Sequence, residues 1–145
     1  MENFIYPAKT TLDKKDGGFV VTFPDLPEAI TQGESLKGAL DEAADCLEEA
    51  IANRIAMEIP VPYPSPVRKR HHPVPLSVHM AAKTALYLAI SEGQITKVEL
   101  AKRLHCDEKE VRRLLNPRHP SKLPRIESAL AVLGRKLVVG FHAEV

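Results

Sequence analysis

The chain has no tryptophan, only two cysteines in 145 residues, and aromatic side chains at 5%. Cys46 and Cys106 stand sixty residues apart, which excludes a disulfide-built scaffold and gives none of the paired spacings that zinc sites use. The scarcity of aromatics speaks against binding single-stranded RNA by base stacking. No apolar run approaches the ~18–20 residues of a membrane-spanning helix. The opening Met1-Glu2-Asn3-Phe4 lacks the basic-then-apolar order of a signal peptide. A cytoplasmic chain with reduced thiols is therefore expected. A glycine-rich phosphate loop is also missing, as is any Ser-His-Asp or Cys-His set with a catalytic spacing. No cofactor and no metal is expected.

What is present is a globular composition, 44% hydrophobic and 27% charged, whose charge is divided along the chain. Residues 1–59 carry five Lys/Arg against twelve Asp/Glu, a net of −7. Residues 60–145 carry fifteen against seven, a net of +8. Such asymmetry predicts two surfaces with partners of opposite sign: a cationic protein for the first, a polyanion for the second. The seam is also visible. Between Ile59 and Pro75 the chain reads IPVPYPSPVRKRHHPVP and holds six of the twelve prolines. Proline fixes φ and removes an N–H, so helix and central strand are both excluded there, and an extended linker over 60–75 is expected. Arg68 to His72 read as solvated linker charge. His71 and His72 do not make a metal pair, because neighbours in an extended chain point opposite ways.

The first half, 1–59, reads as strands followed by a helix. Phe4, Tyr6, Ala8 and Thr10 alternate with Ile5, Pro7, Lys9 and Thr11. Asp16-Gly17-Gly18 marks a turn, and Phe19, Val21 and Phe23 share a face in the next run. Pro24-Asp25-Leu26-Pro27 ends that strand, and Ala29 to Gln32 form a third, stopped by Gly33. Ser35 is placed to cap a helix over 36–55 whose stripe is Leu36, Leu40, Ala43, Leu47, Ile51 and Ile55. Its other face carries Asp41, Glu42, Asp45, Glu48 and Glu49. A fourth strand around 72–77 is expected to complete this layer.

The eighteen residues from Gly18 to Ser35, with Phe23-Pro24-Asp25-Leu26-Pro27 and Thr31-Gln32-Gly33, precede an alanine-rich acidic helix. This stretch resembles the HicB antitoxin family, as does the later Val74-Pro75-Leu76-Ser77-Val78. The resemblance implies a partial ribonuclease-H-like N-terminal domain that binds and covers HicA, a small basic mRNA-cleaving toxin. From charge alone, Asp25, Glu28, Asp41 and Glu48 are the expected toxin-facing carboxylates. The resemblance also implies a C-terminal domain that is either helix-turn-helix or ribbon-helix-helix.

The residues over 76–145 spell the former. Thr96-Lys97-Val98-Glu99 has the capping-box order, with a hydroxyl at N-cap and a carboxylate three residues on, and it opens a short helix to Leu104. Asp107 to Glu110 repeats that order and starts a second helix to Leu115. His105-Cys106-Asp107 is the turn between them, and His105 takes the place where glycine is common. An upstream helix over 78–92 ends at Gly93. Ser121 is expected to cap a last helix that ends at Gly134, and Lys136 to Phe141 read as a closing strand.

With Val111, Leu114 and Leu115 turned inward, Lys109, Arg113 and Asn116 lie nearly opposite and Arg112 on the flank, at about 100° per residue. Arginine and lysine donate to guanine O6 and N7, and asparagine bonds adenine. Arg118, His119, Lys122 and Arg125 follow in the loop and first turn beyond, where phosphate contacts are expected. One such module reads few base pairs, so a homo-dimer or higher oligomer is expected on the DNA, with the closing strand either pairing with its twin or packing on its own domain. The fold class is thus α+β: a small β-β-β-α(-β) domain, then an all-α helix-turn-helix domain ending in a short strand. An enzyme is not expected, because Asp25, Glu28, Glu34 and Asp41 follow no two-metal nuclease spacing. The function read is an antitoxin that neutralises a HicA-type toxin and represses its own operon. The alternative is a ligand-sensing repressor without a toxin.

Overall fold

The computed structural model describes residues 1–143. They form a mixed α+β protein with one four-stranded antiparallel sheet and five helices, divided into two compact units at Ser77/Val78.

The first unit holds β1 (Ile5–Leu12), β2 (Phe19–Phe23), β3 (Leu26–Gly33), α1 (Leu36–Ala56) and β4 (His72–Pro75), with the sheet in the order β3-β2-β1-β4. The β1–β2 turn is set by Asp13, whose Oδ1 accepts from the N–H groups of Lys15 and Asp16 at 3.0 and 3.2 Å. Gly18 closes it at φ +81°, where a Cβ would also stand 2.5 Å from the Gly33 carbonyl oxygen. Register pairs Thr10 with Val21 and Val21 with Thr31. Tyr6, Ala8, Val21, Phe23, Leu26, Ala29 and Val74 are buried.

The third strand starts earlier than expected, at Leu26, and contains Pro27. That is possible because β3 is a sheet edge, where a missing N–H costs no ladder bond. Ser35 caps α1 as expected, its Oγ accepting from Gly38 N–H at 3.0 Å. The buried stripe of α1 runs through Ala39, Ala43, Leu47, Ala50, Ile51 and Ile55, while Leu36 is 37% exposed and Leu40 half-buried. Alanines bring the helix close to the sheet: a Cβ on Gly33 would stand 2.7 Å from Ala39 N.

The proline run is tied to this unit rather than left as a free connector. Tyr6 Oη donates to the Pro62 carbonyl at 2.7 Å, and Arg54 Nη1 to the Pro60 carbonyl at 3.0 Å. Ser65 N–H donates to Asp25 at 2.8 Å, and the Ser65 hydroxyl bonds the same carboxylate. Val61 is buried, and the Phe4 and Tyr63 rings stack at 6.4 Å between centroids. Prolines keep their carbonyl acceptors, and those acceptors hold the segment down. Burial raises the Tyr6 phenol above its usual range, with nearby Asp25 adding to the rise.

The second unit holds α2 (Val78–Gly93), α3 (Lys97–Leu104), α4 (Glu108–Leu115) and α5 (Leu123–Val132). Ala82, Leu86, Ala89, Leu114, Ile126, Ala129 and Leu130 form its core, beside a smaller cluster of Leu100, Ala101 and Val111. Both expected caps are in place: Thr96 Oγ1 accepts from Glu99 N–H at 3.1 Å, and Asp107 Oδ1 from Glu110 N–H at 2.8 Å. His105 ends α3 in the left-handed region at φ +54°. Cys106 N–H bonds the Ala101 carbonyl and His105 N–H the Lys102 carbonyl, a paired closure that satisfies two terminal carbonyls.

Two expectations fail here. Ser121 does not cap α5, whose N-cap is Lys122 without a side-chain bond; its hydroxyl is engaged elsewhere. The closing strand over 136–141 does not form. A strand needs a ladder partner, and among the described residues of the single chain this segment pairs with none. Leu137 packs on the core, while Val138, Val139 and Phe141 are 59%, 60% and 101% exposed.

Candidate functional site

The side chains of α4 divide cleanly. Val111 and Leu114 are fully buried, and Lys109, Arg112 and Arg113 are exposed, as the 100° step requires. Arg112 pairs with Glu108 at 3.2 Å, one turn earlier. Arg113 and Arg125 both approach the Glu110 carboxylate, at 3.7 and 3.9 Å. Exposed pairs of this kind are weak, about 0–1 kcal/mol, so they orient the arginines without immobilising them. Two glutamates on the first turn suit the helix dipole.

Asn116 is the C-cap residue rather than part of α4, and its Oδ1 accepts from Arg118 N–H at 3.0 Å. Arg118 and Lys122 are exposed. His119 is half-buried, its Nδ1 lying 3.1 Å from Ser121 Oγ, so that nitrogen faces the protein.

Lys83 on α2 escaped the reading of the sequence, although a cation inside Met80-Ala81-Ala82-Lys83-Thr84-Ala85-Leu86 was a signal. It is 1% exposed. Its Nζ donates to the carbonyls of Arg113 and Leu114 at 2.9 and 2.8 Å and to Ser121 Oγ at 2.8 Å. All three ammonium protons are used. Burial lowers its pKa to about 8, partly offset by Glu110.

On the first unit, three of the four singled-out carboxylates hold their own chain. Asp25 accepts from Ser65. Glu28 takes a fork from Arg54, Nε at 2.6 Å and Nη2 at 2.8 Å, and this bond keeps its carboxyl below the ordinary value. Glu48 accepts from Ser77 N–H at 2.8 Å and from its hydroxyl at 3.0 Å. Asp41 is exposed, with Lys37 at 3.3 Å, beside exposed Glu42 and Asp45. Cys46 lies 3.7 Å from the Ile30 carbonyl oxygen, and burial pushes its thiol up. No helix among the described residues is long and apolar enough to cross a membrane.

A family model described as the HicB-like antitoxin of bacterial toxin–antitoxin systems matches residues 5–85, from β1 into α2. The chain belongs to the HicB-like antitoxin family. Similarity to individual members of that family runs through both units. Antitoxin HicB 1 of Photorhabdus laumondii is 34% identical over 142 residues, covering 98% of this chain and 90% of the relative. Antitoxin HicB of Escherichia coli K12 is 34% identical over 132 residues, covering 91% and 95%. Antitoxin HicB of Pseudomonas fluorescens is 30% identical over 131 residues, covering 90% of each. The HicB match therefore includes the α4 region as well as the sheet.

Proposed function

We propose that the chain is the antitoxin of a toxin–antitoxin pair: the first unit binds and covers a basic, mRNA-cleaving toxin of the HicA type, and the second unit binds operator DNA of the shared operon and represses it. The observation that carries the DNA half is α4, buried through Val111 and Leu114 and presenting Lys109, Arg112 and Arg113 to solvent, directly after a tight left-handed turn from α3. This is the form a helix-turn-helix reader takes, with α4 as the helix that enters the major groove. Lys109, Arg112 and Arg113 face the bases, and Asn116 reaches them through its remaining amide donor. Arg118, Lys122 and Arg125, with His119 at the margin, meet phosphates.

Family membership and the acidic first half of the chain support the toxin half. The toxin meets the exposed carboxylates of α1 around Asp41, Glu42 and Asp45. Asp25, Glu28 and Glu48 keep the shape of that unit through the bonds described above. The first unit, with its β-β-β-α-β order, serves as a binding scaffold without catalysis. Two chains act together on the operator, one on each half-site.

The test is a titration of the purified chain against a HicA-type toxin, a small basic mRNA-cleaving protein. A stable complex that stops mRNA cleavage supports the reading. Full cleavage at a molar excess of this chain overturns it.

A further inference from the structure

The loop from Asn116 to Ser121 joins α4 to α5 and contains Pro117 and Pro120, neither of which has an N–H to donate. The end of α4 also lacks the usual left-handed closure: Asn116 is extended, at φ −75° and ψ 112°. Asn116 N–H still reaches the Arg112 carbonyl at 2.9 Å and, less closely, the Arg113 carbonyl at 3.3 Å, and the remaining acceptor capacity of the last carbonyls is open to donors from elsewhere. Lys83 supplies them to Arg113 and Leu114, and its third proton goes to Ser121 Oγ at the far end of the loop. Ser121 Oγ also lies 3.3 Å from the Arg113 carbonyl. One turn before Lys83 on α2, His79 Nε2 lies 3.2 Å from the Ser121 carbonyl oxygen. One buried ammonium therefore fixes both the start and the finish of a six-residue loop that carries Arg118 and leads into Lys122. A cation at a helix C-terminus is also favoured by the helix dipole.

We infer that Lys83, itself out of reach of solvent, is a positioning residue for DNA binding: it sets the α4–α5 loop so that Arg118 and Lys122 reach the phosphates while α4 occupies the groove. This rests on the operator-binding reading.

The experiment compares the full-length parent with Lys83→Met and Ser121→Ala on a duplex spanning the promoter upstream of its own reading frame, across a range of salt. Each phosphate contact contributes about 0.9 to the slope of log affinity against log salt. Lys83→Met is expected to keep its helix content, to bind about 10-fold more weakly, and to lose between one and two from that slope. A merely structural lysine lowers the folded fraction and leaves the slope unchanged. Weaker binding with the parent slope, or parent affinity and slope together, overturns the inference. Should Lys83→Met fail to fold, Ser121→Ala decides: a shallower slope supports the inference, and parent behaviour overturns it. A parent that shows no binding to the duplex instead overturns the operator reading itself.

Discussion

Replacing Arg54 with alanine tests how the proline run is held. Arg54 works in two directions, forking onto Glu28 at 2.6 and 2.8 Å and donating to the Pro60 carbonyl at 3.0 Å. Hydrogen bonds to charged groups contribute about 1.5–3 kcal/mol when sheltered, and exposed ion pairs about 0–1. The arginine side chain is 20% exposed and the glutamate 45%, which places the pair between those limits. Taking about 1–2 kcal/mol for the pair and about 1 for the carbonyl bond, Arg54→Ala destabilises the first unit by about 2–3 kcal/mol. Amide exchange at buried strand residues such as Ala8 and Val21 reads the stability of that unit alone. With Glu28→Ala and the double variant, the cycle should return a coupling of about 1–2 kcal/mol at neutral pH. Arg54 holds the Glu28 carboxyl below its ordinary 4.5. This stability is therefore present above that value and lost as pH falls through the lower folded-state value. A coupling under about 0.3 kcal/mol, or one that persists in strong acid, refutes the reasoning.

Other perturbations address the second unit. His105→Gly relieves a left-handed residue that costs about 1–2 kcal/mol, less glycine's own entropy, so thermal unfolding should show a net gain of about 0.5–1 kcal/mol; a loss shows that the His105 side chain contributes more than its backbone costs. For Lys83, burial lowers the folded pKa from 10.5 to about 8. The unfolded chain then binds more protons between those values, so parent stability relative to Lys83→Met should rise across that window, by on the order of 1–3 kcal/mol. Urea unfolding at several pH values checks the sign, and a falling difference contradicts it.

What the sequence made legible was local. Ser35, Thr96 and Asp107 are caps whose partners lie three residues away, so they read directly from the chain, as did the shared face of Val21 and Phe23 in β2 and the inward set Val111 and Leu114, whereas in β1 Pro7 is buried along with its neighbours Tyr6 and Ala8. The hidden features depend on distant partners. Pro27 fits a strand only because β3 is an edge, which depends on the order of the whole sheet. The prolines read as a connector because the bonds that hold them come from Tyr6, Asp25 and Arg54, 56, 40 and 6 residues away in sequence. The same distance hid the internal bonds of Asp25, Glu28 and Glu48 to Ser65, Arg54 and Ser77, so charge alone spoke for them in the sequence. Lys83 was visible as an anomaly, but its acceptors lie 30, 31 and 38 residues on. The apolar run from Leu137 to Val139 suggests a closing strand, but apolar character alone cannot supply a ladder partner.

The central claim is that the two halves serve two different partners, with α4 reading the operator. The most direct measurement takes the full chain with Lys109, Arg112 and Arg113 all changed to alanine and determines its affinity for both the promoter duplex and the toxin. The account predicts a loss of at least ~1–3 kcal/mol on the duplex, with a shallower salt dependence, and unchanged affinity for the toxin. Parent affinity for the duplex, or a parallel loss of toxin binding in a folded variant, contradicts it.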